Sequence, residues 1–419
     1  MRSLLRATLA ALCATATFSN TGAAQALSRS GPQAPVLLHA AERVSWSPIV
    51  KYGGNVFPSY VIATAGVQRW NGIDRFRHAV PNDTSSLVGD MLGNIGVRVQ
   101  LRRRARVRIE VEAPDIAELS SLNAVIEPGQ EVDLFPRIRY RYAALASVYQ
   151  PRSVGVVVRL FVDDDLVTEY PSSLKVMALT DVPFQLLSPD GLWQKSTWMF
   201  AAMADENAAV VGDIIADAVD GGVIQYFDGY DGDSASVHSQ VYAVWNVLQR
   251  RGLTYSSISA ASAESPFAAT QTVRTVTQTV MADRANCVDA SVLFAAALRR
   301  IGLDPILVLS PTHMFLGFYL NREHTQISFL ETTLLGSVDI TKLPEDGTPE
   351  ADSASLAGGQ SRDAASFNSF LAATNFATRR FQTIVAPALA AQARGYEIID
   401  IGRERARGIR PVTDRYPAR

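Results

Sequence analysis

Cysteine is nearly missing from this chain: of 419 residues, only Cys13 and Cys287 carry a thiol. Two cysteines exclude a dense disulfide framework, and one cysteine with one nearby histidine supplies too few ligands for a zinc site. Histidine is almost as scarce, with five in all. An excess of charge is missing too. The 39 basic and 41 acidic side chains leave a formal net charge of −2, which gives no electrostatic case for nucleic acid as a partner. Beyond the N-terminal segment, no uninterrupted apolar run reaches the roughly 20 residues that a membrane-crossing helix needs. No membrane span is therefore expected, and no internal repeat is present.

What is there begins with a secretory pattern. Arg2 and Arg6 precede the apolar run Ala7 to Phe18, and Ala24 and Ala26 supply the small residues that a signal peptidase reads. Residues 1–26 are read as a signal peptide cleaved after Ala26, which places the mature protein in a periplasm or outside the cell. Cys13 follows Leu12 inside the apolar run and is a poor lipid-attachment residue. Removal of the segment leaves Cys287 as the sole thiol, with no disulfide partner in the chain.

The composition, 47% hydrophobic and 19% charged, is that of a globular protein long enough for two domains. Ser45 to Leu187 reads as strands. Val97, Val99, Leu101, Ala105, Val107, Ile109 and Val111 share one parity, while Arg98, Arg102, Arg104, Arg106 and Arg108 share the other. Arg103 breaks the alternation, which predicts a bulge or bend. The arginine face is expected to be solvated and edge-protecting rather than a binding site for an anionic polymer. Asp163, Asp164 and Asp165 separate two β-rich runs and predict a hairpin. Short strands with polar turns point to an antiparallel β-sandwich.

After Pro189 the pattern turns helical, over Trp198 to Val219, Ser236 to Arg251 and an amphipathic segment from Cys287 to Arg300. Strands follow at Ile306 to Leu309, Met314 to Leu320 and Ile327 to Leu330, giving an α+β unit. Asp228, Asp231 and Asp233 do not have the spacing of an EF-hand, and helix capping by Asp233 or Ser234 is expected instead. Phe367 to Arg394 reads as helix interrupted near Pro387, and Tyr396 to Ile401 as a short strand.

This order has a chemical consequence. A thiol at a helix N-terminus faces unpaired backbone N–H groups and the positive end of the helix dipole, which favours the thiolate. His313, at the start of a neighbouring strand, can share the thiol proton, and Glu331, closing the next strand, can orient the imidazole. Each also has an ordinary role open to it: packing for Cys287, a satisfied core position for His313, a strand-end cap for Glu331. Upstream of Cys287, Trp245 fits the buried stripe of its helix, and Tyr255 lies just beyond Gly252 in the strand-like Leu253-Thr254-Tyr255-Ser256.

Cys287-Val288-Asp289-Ala290-Ser291, the turn Arg299-Arg300-Ile301-Gly302-Leu303, His313 ahead of an apolar strand, and Glu331-Thr332-Thr333 together resemble the transglutaminase-like branch of the papain-like cysteine enzymes. The resemblance covers about Ser236 to Ile340. Ala285 stands where that family usually has glycine, Met314-Phe315 where it often has Ala-Trp, and Glu331 where it has aspartate. The alternating strands give an N-terminal antiparallel β-sandwich (45–187), the polar stretch a linker (341–365) and the last segment a C-terminal helix and tail (366–419), while the resemblance implies a transglutaminase-like α+β domain (189–340) in which Tyr255 would be the family's aromatic oxyanion donor upstream of the cysteine. It also implies a Cys287, His313, Glu331 triad working on amide bonds as a peptidase or amidase, or as a transamidase if an amine replaces water. No cofactor or metal is called for. Expected substrates are proteins or the peptide stems of a cell wall, and no feature specifies an oligomeric state. The alternative, motivated by the three departures, is a non-catalytic periplasmic binding or assembly protein on the same scaffold.

Overall fold

Alternation of apolar and charged side chains builds strands across the first half of the chain. The computed structural model describes residues 44–67, 86–188, 191–257, 265–339 and 361–413. The stretch from Val97 to Val111 forms two strands, Ile95–Leu101 and Ala105–Glu112, with the aliphatic side chains buried and Arg98, Gln100 and Arg106 exposed. The irregularity expected at Arg103 is the crossing between two sheets. Ile95–Leu101 lies between Val44–Val50 and Glu131–Phe135, with Ser86–Gly89 at the far edge, while Ala105–Glu112 lies between Arg152–Val162 and Ser120–Ile126. Asp165–Val176 and Asn55–Val56 complete the second, five-stranded sheet.

The arginine face is neutralised within the fold. Arg98 meets Asp133 at 2.7 Å, Arg103 meets Asp163 at 2.5 Å, Arg104 meets Glu127 at 3.1 Å, and Arg108 meets Glu110. Asp163 and Asp164 both take positive φ, 50° and 72°, the conformation of a two-residue type I′ turn that matches strand twist. Most strand pairs are antiparallel. Ser86–Gly89 on Glu131–Phe135 and Asn55–Val56 on Asp165–Val176 are parallel, and these long-range pairings carry no local turn chemistry to announce them. Two short helices, Pro58–Ala63 and Tyr142–Ala146, interrupt the strand region.

The described residues form two units that interleave along the chain. One comprises 44–67, 86–188, 191–203, 265–273 and 403–413, and the other 204–257, 274–339 and 361–402. Residues 265–273 return to the strand-rich unit because Ala268–Thr272 pairs antiparallel with Asp181–Leu187. The helix expected over Trp198 to Val219 is in fact two, Met199–Met203 and Ala209–Asp220. Asp205 breaks it: its side chain accepts from Asn207 N at 3.1 Å and its carbonyl from Ala208 N at 3.3 Å, local bonds that compete with the helical ladder. The chain is thus a mixed α+β protein with several sheets. Among the described residues no helix is long and apolar enough to cross a membrane. The expected signal peptide, Cys13, His39, His78 and residues 341–360 of the expected linker lie outside the described residues.

In the second unit, an antiparallel sheet runs in the order Ile327–Leu330, His313–Tyr319, Pro305–Ser310, Glu397–Asp400. The helix Cys287–Arg300 packs on its two central strands. The helix reads as amphipathic, yet every residue from Val288 to Leu298 is buried, because the small side chains of Ala290, Ser291 and Ala295 to Ala297 let neighbours close over the remaining faces. Gly302, at φ 82°, ends it, and Leu303 N bonds Leu298 O at 3.0 Å, which is the Schellman pattern. Ile306, Val308, Phe315 and Phe329 form a core with Ala377 and Val385. Those last two come from the helix Arg362–Arg380 and the wide π-type turn Phe381–Val385, followed by Ala386–Ala390. The wide turn sits where the ring of Pro387 would otherwise strike the carbonyl of Thr383.

Candidate functional site

The site begins with a helix cap. Asn286 is the N-cap of the Cys287–Arg300 helix, and its Oδ1 accepts from Val288 N and Asp289 N, each at 2.9 Å. Asp289, 1% exposed, faces the backbone N–H of Asn286 across the same turn. Asp289 also binds Arg274, at 2.9 Å to its backbone N and 2.8 Å to Nη1. Burial pushes the Asp289 carboxyl above its ordinary range, and the hydrogen bonds and charge of Arg274 work against that shift. Cys287 is therefore held rigidly at the first helical position, half-buried, where the helix end carries positive potential.

His313 and Glu331 meet because of strand register. Leu316 pairs with Leu330 across the antiparallel strands. Continuing the register puts Glu331 opposite Phe315 and makes His313 its diagonal neighbour on the same face, a separation that long side chains can span. His313 Nε2 lies 3.0 Å from Glu331 Oε1 and 2.9 Å from Oε2. The extra methylene of glutamate thus covers the diagonal. Glu331 is 1% exposed, and its Oε1 also accepts from Thr333 Oγ1 at 2.8 Å and Thr333 N at 3.3 Å. Ser291 Oγ donates to Cys287 O at 2.7 Å and lies 3.2 Å from Thr332 Oγ1, which links the first turn of the helix to the segment beside Glu331.

With Nε2 committed to the carboxylate, Nδ1 is the ring nitrogen left for Cys287, whose thiol also acts on the His313 pKa. Burial disfavours the imidazolium. The hydrogen bonds to Cys287 and Glu331 and the charges of both outweigh it and push the His313 pKa up to about 9. The structure therefore brings Cys287, His313 and Glu331 into one chain of contacts.

Tyr255 lies beside this chain of contacts. Its strand, Thr254–Tyr255, pairs in parallel with Arg284–Ala285, with Tyr255 opposite Ala285. Ala285 is buried in extended backbone outside the left-handed region, so a Cβ is accommodated where the resembled family has glycine. Phe315 is buried and stacks on His313 with ring centres 6.2 Å apart. Trp245 is a core residue whose indole N–H donates to Ser369 Oγ at 3.1 Å. His238 packs its ring against Phe318, and burial lowers its pKa. His324 bonds Asp304 at 3.0 Å. Asp233 caps its helix through Ser236 N at 2.9 Å, Asp228 holds Ser236 Oγ and Gln240, and Asp231 pairs with Arg322.

The capping role of Asn286 and the contact of Arg274 escaped the reading of residues, whereas Thr333 was read as part of Glu331-Thr332-Thr333. A local sign existed for the first: Asn286-x-x-Asp289 ahead of an apolar run is a capping-box pattern. Nothing local announces Arg274. No protein-family model matches the chain, and no curated protein matches it.

Proposed function

We propose that this protein is an exported cysteine-dependent acyl-transfer enzyme of transglutaminase-like type, with Cys287 as nucleophile, His313 as acid and base, and Glu331 as the group that orients the imidazole. The observation that carries the reading is His313, whose Nε2 lies 2.9 Å from a buried carboxylate and whose pKa is also raised by the half-buried thiol at a helix N-terminus. The order of helix, hairpin and outer strand around these residues agrees with the resemblance in their motifs. For the strand-rich unit, the alternating burial in its four- and five-stranded sheets supports a sandwich. The N-terminal pattern supports export and cleavage after Ala26.

In this reading the Cys287 thiolate attacks the carbonyl carbon of an amide, the C–S bond forms, and the carbonyl electron pair moves to oxygen. Collapse of the tetrahedral species expels the amine, which takes the His313 Nδ1 proton and leaves a thioester. Water, deprotonated by His313, then releases a carboxylic acid and restores the thiol. An amine in place of water gives a new amide. Hydrolysis is favoured, because nothing in the sequence specifies a lysine-binding channel. Proteins or cell-wall peptides are the substrates that the compartment suggests.

p-Nitrophenyl acetate tests the reading without a known substrate. Wild-type protein should release a burst of p-nitrophenolate and carry the acetyl group on Cys287 by peptide mass spectrometry. His313→Ala should acetylate about 100-fold more slowly, the usual scale of general acid–base assistance. Acetylation of Cys287 no faster than in the unfolded chain would refute it.

A further inference from the structure

A nucleophile with a base still needs donors for the oxyanion that forms on the attacked carbonyl. The first turn of an α-helix leaves four backbone N–H groups without intrahelical partners. Around Cys287, Val288 N–H and Asp289 N–H donate to Asn286 Oδ1 at 2.9 Å, and Asn286 N–H faces the Asp289 carboxylate. The one that remains is the N–H of Cys287 itself, which has no hydrogen-bond acceptor among the described residues. The cap thus withdraws the neighbouring donors and leaves free the one beside the reactive sulfur.

The same cap fixes a second donor. Two N–H groups at 2.9 Å determine which end of the Asn286 carboxamide is oxygen, since an NH2 group there would face two donors. The NH2 group is therefore turned away from the cap. Asn286 is 6% exposed, yet its Nδ2 has no partner among the described residues. Oδ1 cannot swing without giving up both cap bonds, so Nδ2 is held in place one residue from Sγ, at the positive end of the helix.

We propose that Asn286 is a further catalytic residue, whose Nδ2 joins the Cys287 backbone N–H in stabilising the oxyanion of the tetrahedral intermediate. The inference rests on the acyl-transfer reading above and assigns to Asn286 the task that the sequence suggests for Tyr255. Preorganisation by the two cap bonds to Oδ1 makes the donor effective, because no reorientation is needed as charge develops on oxygen.

Two reagents separate this role from capping. p-Nitrophenyl acetate reacts through a tetrahedral oxyanion: the C–S bond forms, charge collects on the carbonyl oxygen, and p-nitrophenolate departs. Iodoacetamide reacts by direct displacement of iodide and forms no oxyanion. Asn286→Ser keeps a capping acceptor and removes Nδ2. The expected result is acetylation of Cys287 slowed by about 100-fold, the scale of one lost oxyanion donor, with iodoacetamide alkylation within about twofold of wild type under the same criterion. Tyr255→Phe is measured alongside, as the residue that the sequence suggests for the same task. Equal losses in both reactions of Asn286→Ser would assign Asn286 to helix capping alone and overturn the inference. So would unchanged acetylation, or acetylation lost only in Tyr255→Phe. Asn286→Asp serves as a folding control, since it keeps the cap but places a carboxylate where the amide donor was. It should acetylate no faster than Asn286→Ser, and recovery of wild-type acetylation in it would contradict the assignment. Failure of the underlying reading looks different: the wild-type protein itself would then lack the burst.

Discussion

At the scale of single residues, the site depends on charge held in a buried place. His313 has its pKa raised to about 9 in the folded chain, against about 6.5 in an unfolded one. Its contribution to stability is therefore complete below about pH 6.5 and is lost as the pH rises through about 9. The thermal midpoint of wild-type protein should fall relative to that of His313→Ala between about pH 6.5 and 9, as read by paired melting curves in one buffer series. A constant difference would show that the imidazolium is not favoured by folding. Asp289→Ala strands Arg274, which bonds the buried carboxylate through its backbone N and Nη1, so a loss of about 2 kcal/mol or more is expected in urea unfolding. Loss of less than about 0.5 kcal/mol would place the ion pair among surface pairs of little consequence.

At the scale of elements, Phe315 is the side chain on which the sheet core and the base both lean. It is fully buried among Ile306, Val308 and Phe329 and stacks on His313. Phe315→Ala should destabilise by about 3 to 5 kcal/mol and broaden the NMR signals of the His313 ring. A loss under about 1 kcal/mol would mean that the core there collapses around the gap. Periodicity made the helix Cys287–Arg300 and the strands on either side of His313 legible, since Val288, Val292 and the run Ile306 to Leu309 carry their pattern locally. The break at Asp205 was hidden because an Asx turn inside an apolar stretch looks like helix. The place of Glu397–Asp400 beside Pro305–Ser310 was hidden as well, although the strand itself is readable. Its partner lies far away in sequence, and only packing selects it. The same holds for Arg274 against Asp289, whereas Glu331 against His313 follows once the register of adjacent strands is known.

At the scale of the whole molecule, charge is balanced both in total and locally. The net charge of −2 is matched on the arginine strand by carboxylates facing Arg98, Arg103, Arg104 and Arg108. The protein should pass through a heparin column at about 0.15 M salt, where charges beyond about 8 Å are screened. Firm retention would show that the arginine face remains available to polyanions. Return of residues 265–273 and 403–413 to the strand-rich unit means that neither unit is one continuous length of chain. Cuts at the sequence-derived boundaries 187/189 or 340/341 would separate strands from their partners. A fragment comprising 189–340 lacks Glu397–Asp400 and the core residues Ala377 and Val385. It should show the exposed apolar surface and weak near-UV dichroism of an incompletely packed chain.

The most direct measurement of the central claim is the rate of iodoacetamide alkylation at Cys287 across pH 5 to 9, in wild type, His313→Ala and Glu331→Gln, on the scale set by a free thiol pKa of about 8.5. A thiolate–imidazolium pair predicts a wild-type rate at pH 6 close to that at pH 8, a steep fall at pH 6 in His313→Ala, and an intermediate loss in Glu331→Gln. Three superimposable curves that rise together with pH as an ordinary thiol does would contradict it.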